Sequence, residues 1–199
     1  KGKDIRYTLE VTFEEAAFGA SKSIEIGADG DKTRELNIVI PPGMKDGAVK
    51  SLRGEGEPGK GGAPNGDLHV MFRIAEHAKF LRESFDVRSR QSISFSQAAL
   101  GSVIDVDTLD GSVKMRIPEG TQPGRVFRIR GRGIPQAAGK QAPRGDHLVE
   151  VQVEVPTELT ARQRELIEEL ARTTGEDPNL PATTRPKGLL DRVRSLLDE

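Results

Sequence analysis

The stretch Leu52–Gly62, LRGEGEPGKGG, carries the residue types of a phosphate site. Gly54, Gly56 and Gly59 stand in G-x-G-x-x-G spacing and Lys60 follows, the pattern by which backbone N–H groups and an ammonium cradle a nucleotide's phosphates. Other residues offer other chemistry. Carboxylate pairs occur at Glu14-Glu15 and Asp105/Asp107, though on capping turns and solvent-facing strand positions. Arg125, Arg128, Arg130 and Arg132 form a basic run of the kind that meets nucleic acid, or simply a solvated strand face. His69, His77 and His147 are too scattered to form a ligand cluster, and the absence of cysteine excludes disulfides, thiolate zinc sites and cysteine nucleophiles. With no clustered base, nucleophile or metal set, the sequence predicts neither an enzyme nor a bound metal or cofactor.

Composition narrows the choice. A net charge of −1 and a pI near 6.4 give no electrostatic footprint for nucleic acid. Hydrophobic residues make up 35% and charged residues 31%, which suits globular domains, and no stretch approaches the ~18 apolar residues of a membrane span. At 199 residues the chain has room for one large domain or two small ones.

The elements that position these residues come in two copies. IVIPPGMKDGAVKSLRGEGEP, from Ile38, matches MRIPEGTQPGRVFRIRGRGIP, from Met115, at an offset of 77. GDLHVMFRI from Gly66 matches GDHLVEVQV from Gly145, and TFEEAAFG from Thr12 matches SFSQAALG from Ser94 at an offset of 82. The drop from 82 to 77 places five extra residues between Gly19 and Ile40 of the first copy. Shared turn glycines, prolines and apolar positions in one order identify a duplicated domain. Duplication also disposes of the phosphate loop. The second copy reads Gly131-x-Gly133-x-x-Gln136, Lys60 is followed by Gly61 rather than Ser or Thr, and neither stretch opens a helix. These glycines are expected in tight turns between strands.

Alternating apolar and polar residues predict strands at 5–13, 36–40, 67–75 and 147–155. Thr12/Glu15 and Ser94/Gln97 have capping-box spacing, with Gly19 and Gly101 at the stops of two short helices. Thr160 and Gln163 begin a longer helix running through Leu166, Ile167 and Leu170 to Gly175. The fold expected is mainly β: two tandem, duplicated sandwich- or barrel-like subdomains, 1–78 and 79–156, each with a short helix, then C-terminal helices over 157–199. In the last segment, 188–199, Leu189, Leu190, Val193, Leu196 and Leu197 form one apolar stripe. A helix this short is not stable alone, so the stripe is expected to bury against the second subdomain or, by preference, a second chain.

Overlaying the copies separates core from candidate surface. Val11 and Phe13 become Ile93 and Phe95, apolar in both. Tyr7, Leu9 and Ile26 become Ser89, Gln91 and Thr108, while Ile24 stays apolar as Val106. Since a packed interior seldom accepts polar groups without cost, Tyr7, Leu9 and Ile26 are candidates for an exposed groove present in the first copy alone; diverged and repacked cores are the alternative.

The stretches DIRYTLEVTFEEAAFG, IPPGMKDG, LRGEGEPGKGGAPNGDLHV, AALGSVIDVDTLDG, VKMRIPEGTQPGRVFRIRGRG and GDHLVEVQVEVP resemble the C-terminal client-binding region of J-domain co-chaperones, the DnaJ family, over about residues 3–170. That resemblance implies two β-rich barrel-like subdomains in tandem and a C-terminal helix that joins two chains, here Leu189, Leu190, Val193, Leu196 and Leu197. It implies a function: holding unfolded or misfolded polypeptides in a hydrophobic groove and delivering them to an ATP-driven, DnaK-type heat-shock chaperone, in the cytoplasm. Carried over position by position, the groove comprises Ile5, Tyr7, Leu9, Ile24, Ile26, Leu36 and Val70, and Lys22 matches a basic position that receives the partner chaperone's acidic tail in some members. The alternative is a nucleic-acid-binding module like that of a curved-DNA-binding relative. Departures are plain. The J-domain with its His-Pro-Asp signature is absent, and KGKD is similar to the end of the linker after it, which implies a piece of a longer protein. The four C-x-x-C-x-G-x-G zinc motifs of one branch are replaced by GADGDKTRE, either natively or by excision, and His77-Ala78 stands where members often have His-Pro.

Overall fold

The computed structural model describes residues 1–28, 32–139 and 142–175. The expected dimerisation residues Leu189, Leu190, Val193, Leu196 and Leu197 lie outside them. Residues Lys1–Glu154 pack as one compact unit that holds both repeats, and a second unit begins at Val155.

In the first repeat, β1 (Ile5–Val11) alternates inward and outward residues and pairs in parallel with β5 (Leu68–Ile74), which pairs antiparallel with β4 (Val49–Leu52). Thr12 ends β1 and caps α1 (Phe13–Phe18): its hydroxyl accepts from Glu15 N at 3.2 Å while the Glu15 carboxylate accepts from Thr12 N at 2.8 Å. This satisfies two of the N–H groups a helix start leaves orphaned. β2 (Ala20–Ala28) and β3 (Lys32–Ile40) form an antiparallel hairpin. Its inner face lies on the β1-β5-β4 sheet, and Leu9, Val11, Ile24, Ile38, Ile40 and Phe72 meet in one core.

The second repeat repeats the plan. β7 (Asp86–Ser94) pairs in parallel with β11 (His147–Glu154), which pairs antiparallel with β10 (Val126–Ile129). α2 (Phe95–Leu100) carries the Ser94/Gln97 capping box, and β8 (Ser102–Thr108) and β9 (Gly111–Ile117) form the hairpin. Registers coincide: Ile5 faces Leu68 as Val87 faces His147. The five extra residues of the first copy lengthen its hairpin, which occupies 20–40 against 102–117. The mainly-β duplicated architecture is therefore as expected.

β2, β4, β8 and β10 fall outside the stretches expected as strands and their equivalents in the other repeat, and so does one further strand. β6 (Phe80–Glu83) pairs antiparallel with Asp86–Ser89 of β7, so the second sheet runs β10-β11-β7-β6, whereas the positions of the first repeat equivalent to β6 fall at and before Lys1. The intervening turn holds Ser84 at φ 60 without the glycine or asparagine that signals such turns.

The glycine loops serve the chain itself. Gly54 N donates to Asp67 Oδ1 and Gly131 N to Asp146 Oδ1, each at 2.9 Å, so both repeats spend on their own carboxylate the N–H that a phosphate would need. Lys60–Gly62 form one 3-10 turn, a detail beyond the sequence reading.

In the unit that begins at Val155, α3 (Ala161–Thr173) starts at the expected Thr160/Gln163 capping box and exposes Leu166, Ile167 and Leu170. Among the described residues no helix is long and apolar enough to cross a membrane.

Candidate functional site

The seven groove residues converge, from four strands, on a single apolar cluster. Ile5, Tyr7 and Leu9 point to one face of β1, with Val70 of β5 directly beside Tyr7. Ile24 of β2 faces Leu36 of β3 across the hairpin, with Ile26 two residues on. Their exposure divides them. Leu9, Ile24, Ile26 and Val70 are buried, the last completely, whereas Ile5, Tyr7 and Leu36 are half-buried at the rim. The arrangement is thus an apolar core with an open rim, and an apolar ligand would meet Ile5, Tyr7 and Leu36 before the rest.

Beside that rim two strands have edges unpaired among the described residues. β1 has one strand neighbour, β5, and β2 has only β3. A strand edge presents a row of N–H and C=O groups ready to pair with an incoming extended chain. In the second repeat β6 covers the corresponding edge of β7 at Asp86–Ser89, the positions equivalent to Asp4–Tyr7. The cleft there, about 790 Å³, is mixed, with Ser89, Gln91, Arg88, Asp105 and Glu150 on its walls beside Phe80, Leu81 and Val106.

The polar replacements in the second copy call for one correction. They do not mark exposed positions, because Ser89 and Thr108 are buried. Each is satisfied instead. Ser89 Oγ is hydrogen-bonded to Nε2 of the fully buried His147 at 2.8 Å, and Thr108 Oγ1 donates to Gly111 O at 2.6 Å. A buried hydroxyl costs little once paired, and His147 stands where the first copy has Leu68, so two polar residues replaced two apolar ones together. Burial holds the His147 imidazole below its ordinary pKa.

Lys22 is half-buried rather than simply solvated. Its Nζ lies 2.8 Å from Glu15 Oε2 and donates to Glu10 O at 3.2 Å. That ammonium, then the Thr12 N–H, holds the Glu15 carboxyl below the usual range. The basic run spends part of its charge at home: Arg128 lies 3.6 Å from Asp146, Arg132 lies 3.4 Å from Asp110, and Arg125 sits over the Phe127 ring. The carboxylates considered for catalysis pair likewise, Asp105 with Lys114 and Asp107 with Lys79.

The junction between repeats escaped the sequence reading. Phe13 and Ala17 of α1 pack on Phe80, Val87 and Ile134 of the second repeat. Arg82 of β6 reaches back to donate to the carbonyls of Gly43 and Met44. His77 stacks on Phe80 with ring centroids 4.7 Å apart; its Nδ1 accepts from Lys79 N and Phe80 N, which leaves Nε2 to meet Glu14 at 3.2 Å. The only local signal was the apolar and aromatic density of HAKFLRESF.

Comparison with known proteins adds to this geometry. The family model described as DnaJ C terminal domain matches residues 5–156. A chaperone protein DnaJ of Ruminiclostridium cellulolyticum is 34% identical over 262 aligned positions, covering 98% of this chain and 68% of the relative. Since this chain has 199 residues, at least 262 − 199 = 63 of those positions are residues of the relative that it lacks. A chaperone protein DnaJ of Brevibacillus choshinensis is 46% identical over 145 residues, 73% of this chain and 38% of the relative. One of Clostridium kluyveri is 40% identical over 162 residues, 81% of this chain and 42% of the relative.

Proposed function

The chain belongs to the DnaJ C-terminal domain family, and from that premise we propose that it is the region of a co-chaperone that holds non-native polypeptides and passes them to a DnaK-type chaperone. The observation that carries the reading is the contrast between repeats. The first has an apolar cluster opening at Ile5, Tyr7 and Leu36 beside the edge of β2, which pairs with β3 alone among the described residues. In the second, Ser89 and Gln91 stand where the first has Tyr7 and Leu9, and the cleft beside them carries Arg88, Asp105, Asp107 and Glu150 among its apolar residues. Backbone pairing along an edge gives affinity without demanding a sequence, and the apolar rim selects chains that expose large side chains.

Each side chain fully buried by the client contributes roughly 1.5–3 kcal/mol, offset by the cost of immobilising a flexible segment. Two or three such contacts give single-site dissociation constants on the order of micromolar. A homodimer joined through Leu189, Leu190, Val193, Leu196 and Leu197 would place two such sites on one client and multiply weak binding into avidity. For Lys22 to receive an acidic tail, the incoming carboxylates would displace Glu15.

The test is an anisotropy titration of a labelled, permanently unfolded protein, with its folded form as control. The variant is Tyr7→Ser with Leu36→Ser, which opens the rim and leaves the buried Ile24 and Ile26 in place. Selective binding of the unfolded form, weakened in a variant that keeps its circular dichroism, is the expected result. Equal binding by both proteins removes the site from the first repeat, and no binding removes the function.

A further inference from the structure

The junction shows how this fold covers the outer face of its short helix. On α1, Phe13 and Ala17 are buried beneath Phe80, Val87 and Ile134, and the Arg144 guanidinium lies over the Phe18 ring. The turn beside the helix is held too, since Arg82 donates to the carbonyls of Gly43 and Met44. The second repeat builds the same face. Gly120 N donates to Ala99 O and Thr121 N to Ala98 O, as Gly43 N does to Ala17 O and Met44 N to Ala16 O. Here nothing among the described residues covers it. Phe95, the counterpart of Phe13, is 50% exposed against 7%, and Leu100 is 80% exposed against 39% for its counterpart Phe18.

We propose that this uncovered face of α2 is a second docking site, which takes a polypeptide segment carrying an aromatic side chain and an arginine two residues apart. The occupant's chemistry is read from the first junction, where Phe80 and Arg82 of β6 supply those two groups. Phe95, Leu100 and Val103 offer the apolar contact. The carbonyls of Gly120 and Thr121 correspond to those of Gly43 and Met44; Gly120 O already accepts from Gln122 Nε2 at 3.1 Å, an exposed bond that a guanidinium would replace or share. The adjacent groove, about 830 Å³, is lined by Leu100, Val103, Arg116 and Glu119, and Glu119 adds a carboxylate where the first repeat has Pro42. A second copy of this chain does not present a free β6 for the purpose, because its own α1 covers the apolar side of that strand.

The probe is a labelled synthetic peptide with the sequence of residues 77–85, HAKFLRESF, titrated against the whole chain. We expect saturable binding with a dissociation constant on the order of a tenth of a millimolar. Leu100→Asp in the protein, and the exchange corresponding to Arg82→Gln in the peptide, should each weaken it about tenfold, the scale of one buried leucine or one charge-assisted hydrogen bond. Because Leu100 points to solvent, its exchange leaves the core intact, and circular dichroism verifies this. Tyr7→Ser should leave the peptide's affinity unchanged, which keeps this site distinct from the first-repeat groove. No saturable binding, equal affinity for the Leu100→Asp protein, or loss on Tyr7→Ser overturns the proposal. So does a shift from dimer to monomer in sedimentation equilibrium on Leu100→Asp, which would assign the face to a second copy.

Discussion

Tyr7 and Ser89 occupy one position of a duplicated fold, and what stands behind them explains why one repeat is apolar there and the other polar. Behind Tyr7 lies the β5 core of Leu68 and Val70; behind Ser89 lies His147, fully buried, hydrogen-bonded through Nε2, edge-on to Phe80, and with Nδ1 unpartnered. An orphaned buried nitrogen costs stability, so the pair is exchangeable only as a pair. His147→Leu alone strands the Ser89 hydroxyl, at about 1–3 kcal/mol. Adding Ser89→Val should recover that loss, as read from urea midpoints at pH 7.5. The same residue makes stability depend on pH. Its folded pKa is depressed by burial, so the unfolded chain binds the extra proton; the contribution is complete well above the unfolded value near 6.5 and is lost as pH falls through it. Between pH 7.5 and 5.5 the wild type should lose up to about 1.4 kcal/mol that the double variant keeps. Equal losses in both would clear His147 of the effect.

The β6 strand and the turn it grips carry the junction, and the second repeat supplies its own control. Gly43 and Gly120 both have positive φ, 76° and 70°, where a side chain is strained. A Cβ on Gly43 would also come within 2.5 Å of Pro135 O, whereas one on Gly120 meets nothing within 4 Å. Gly120→Ala should therefore cost about 1 kcal/mol, and Gly43→Ala clearly more, with faster hydrogen exchange at Val87 and Ile134; equal costs would mean the junction yields freely. Arg82→Ala, which deprives two carbonyls of a charged donor, should cost about 2–3 kcal/mol by the same measurement. At this scale the sequence was legible where signals are local. Capping boxes and the turn glycines each follow from a few neighbouring residues; duplication singled out Tyr7, Leu9 and Ile26, and the family resemblance supplied the other four groove residues. It was not legible where partners are distant. Phe13, Phe80 and Ile134 meet from three separated segments, and no periodicity tells which helix face docks. That Ser89 is buried with a compensating histidine was not legible either, because His147 lies on another strand.

Across Lys1–Glu154, the shared packing of Phe13, Ala17, Phe80, Val87 and Ile134 ties the two repeats' cores together, so neither should unfold alone. The composition provides a means to see it. The chain has one tyrosine, Tyr7, and no tryptophan, so tyrosine fluorescence reports the first repeat, while far-ultraviolet circular dichroism reports both. Coincident urea transitions by the two probes are the expected outcome, since coincidence is the mark of a single cooperative event. Ile134→Ser should part them: it removes a fully buried side chain from the junction and touches neither repeat's own core cluster. The consequence reaches function. A rigid junction fixes the first-repeat groove and the α2 face within one body, so a client engaging both would pay the entropy of tethering once. If the wild-type transitions separate, the repeats are independent modules, and the two sites would bind without that advantage.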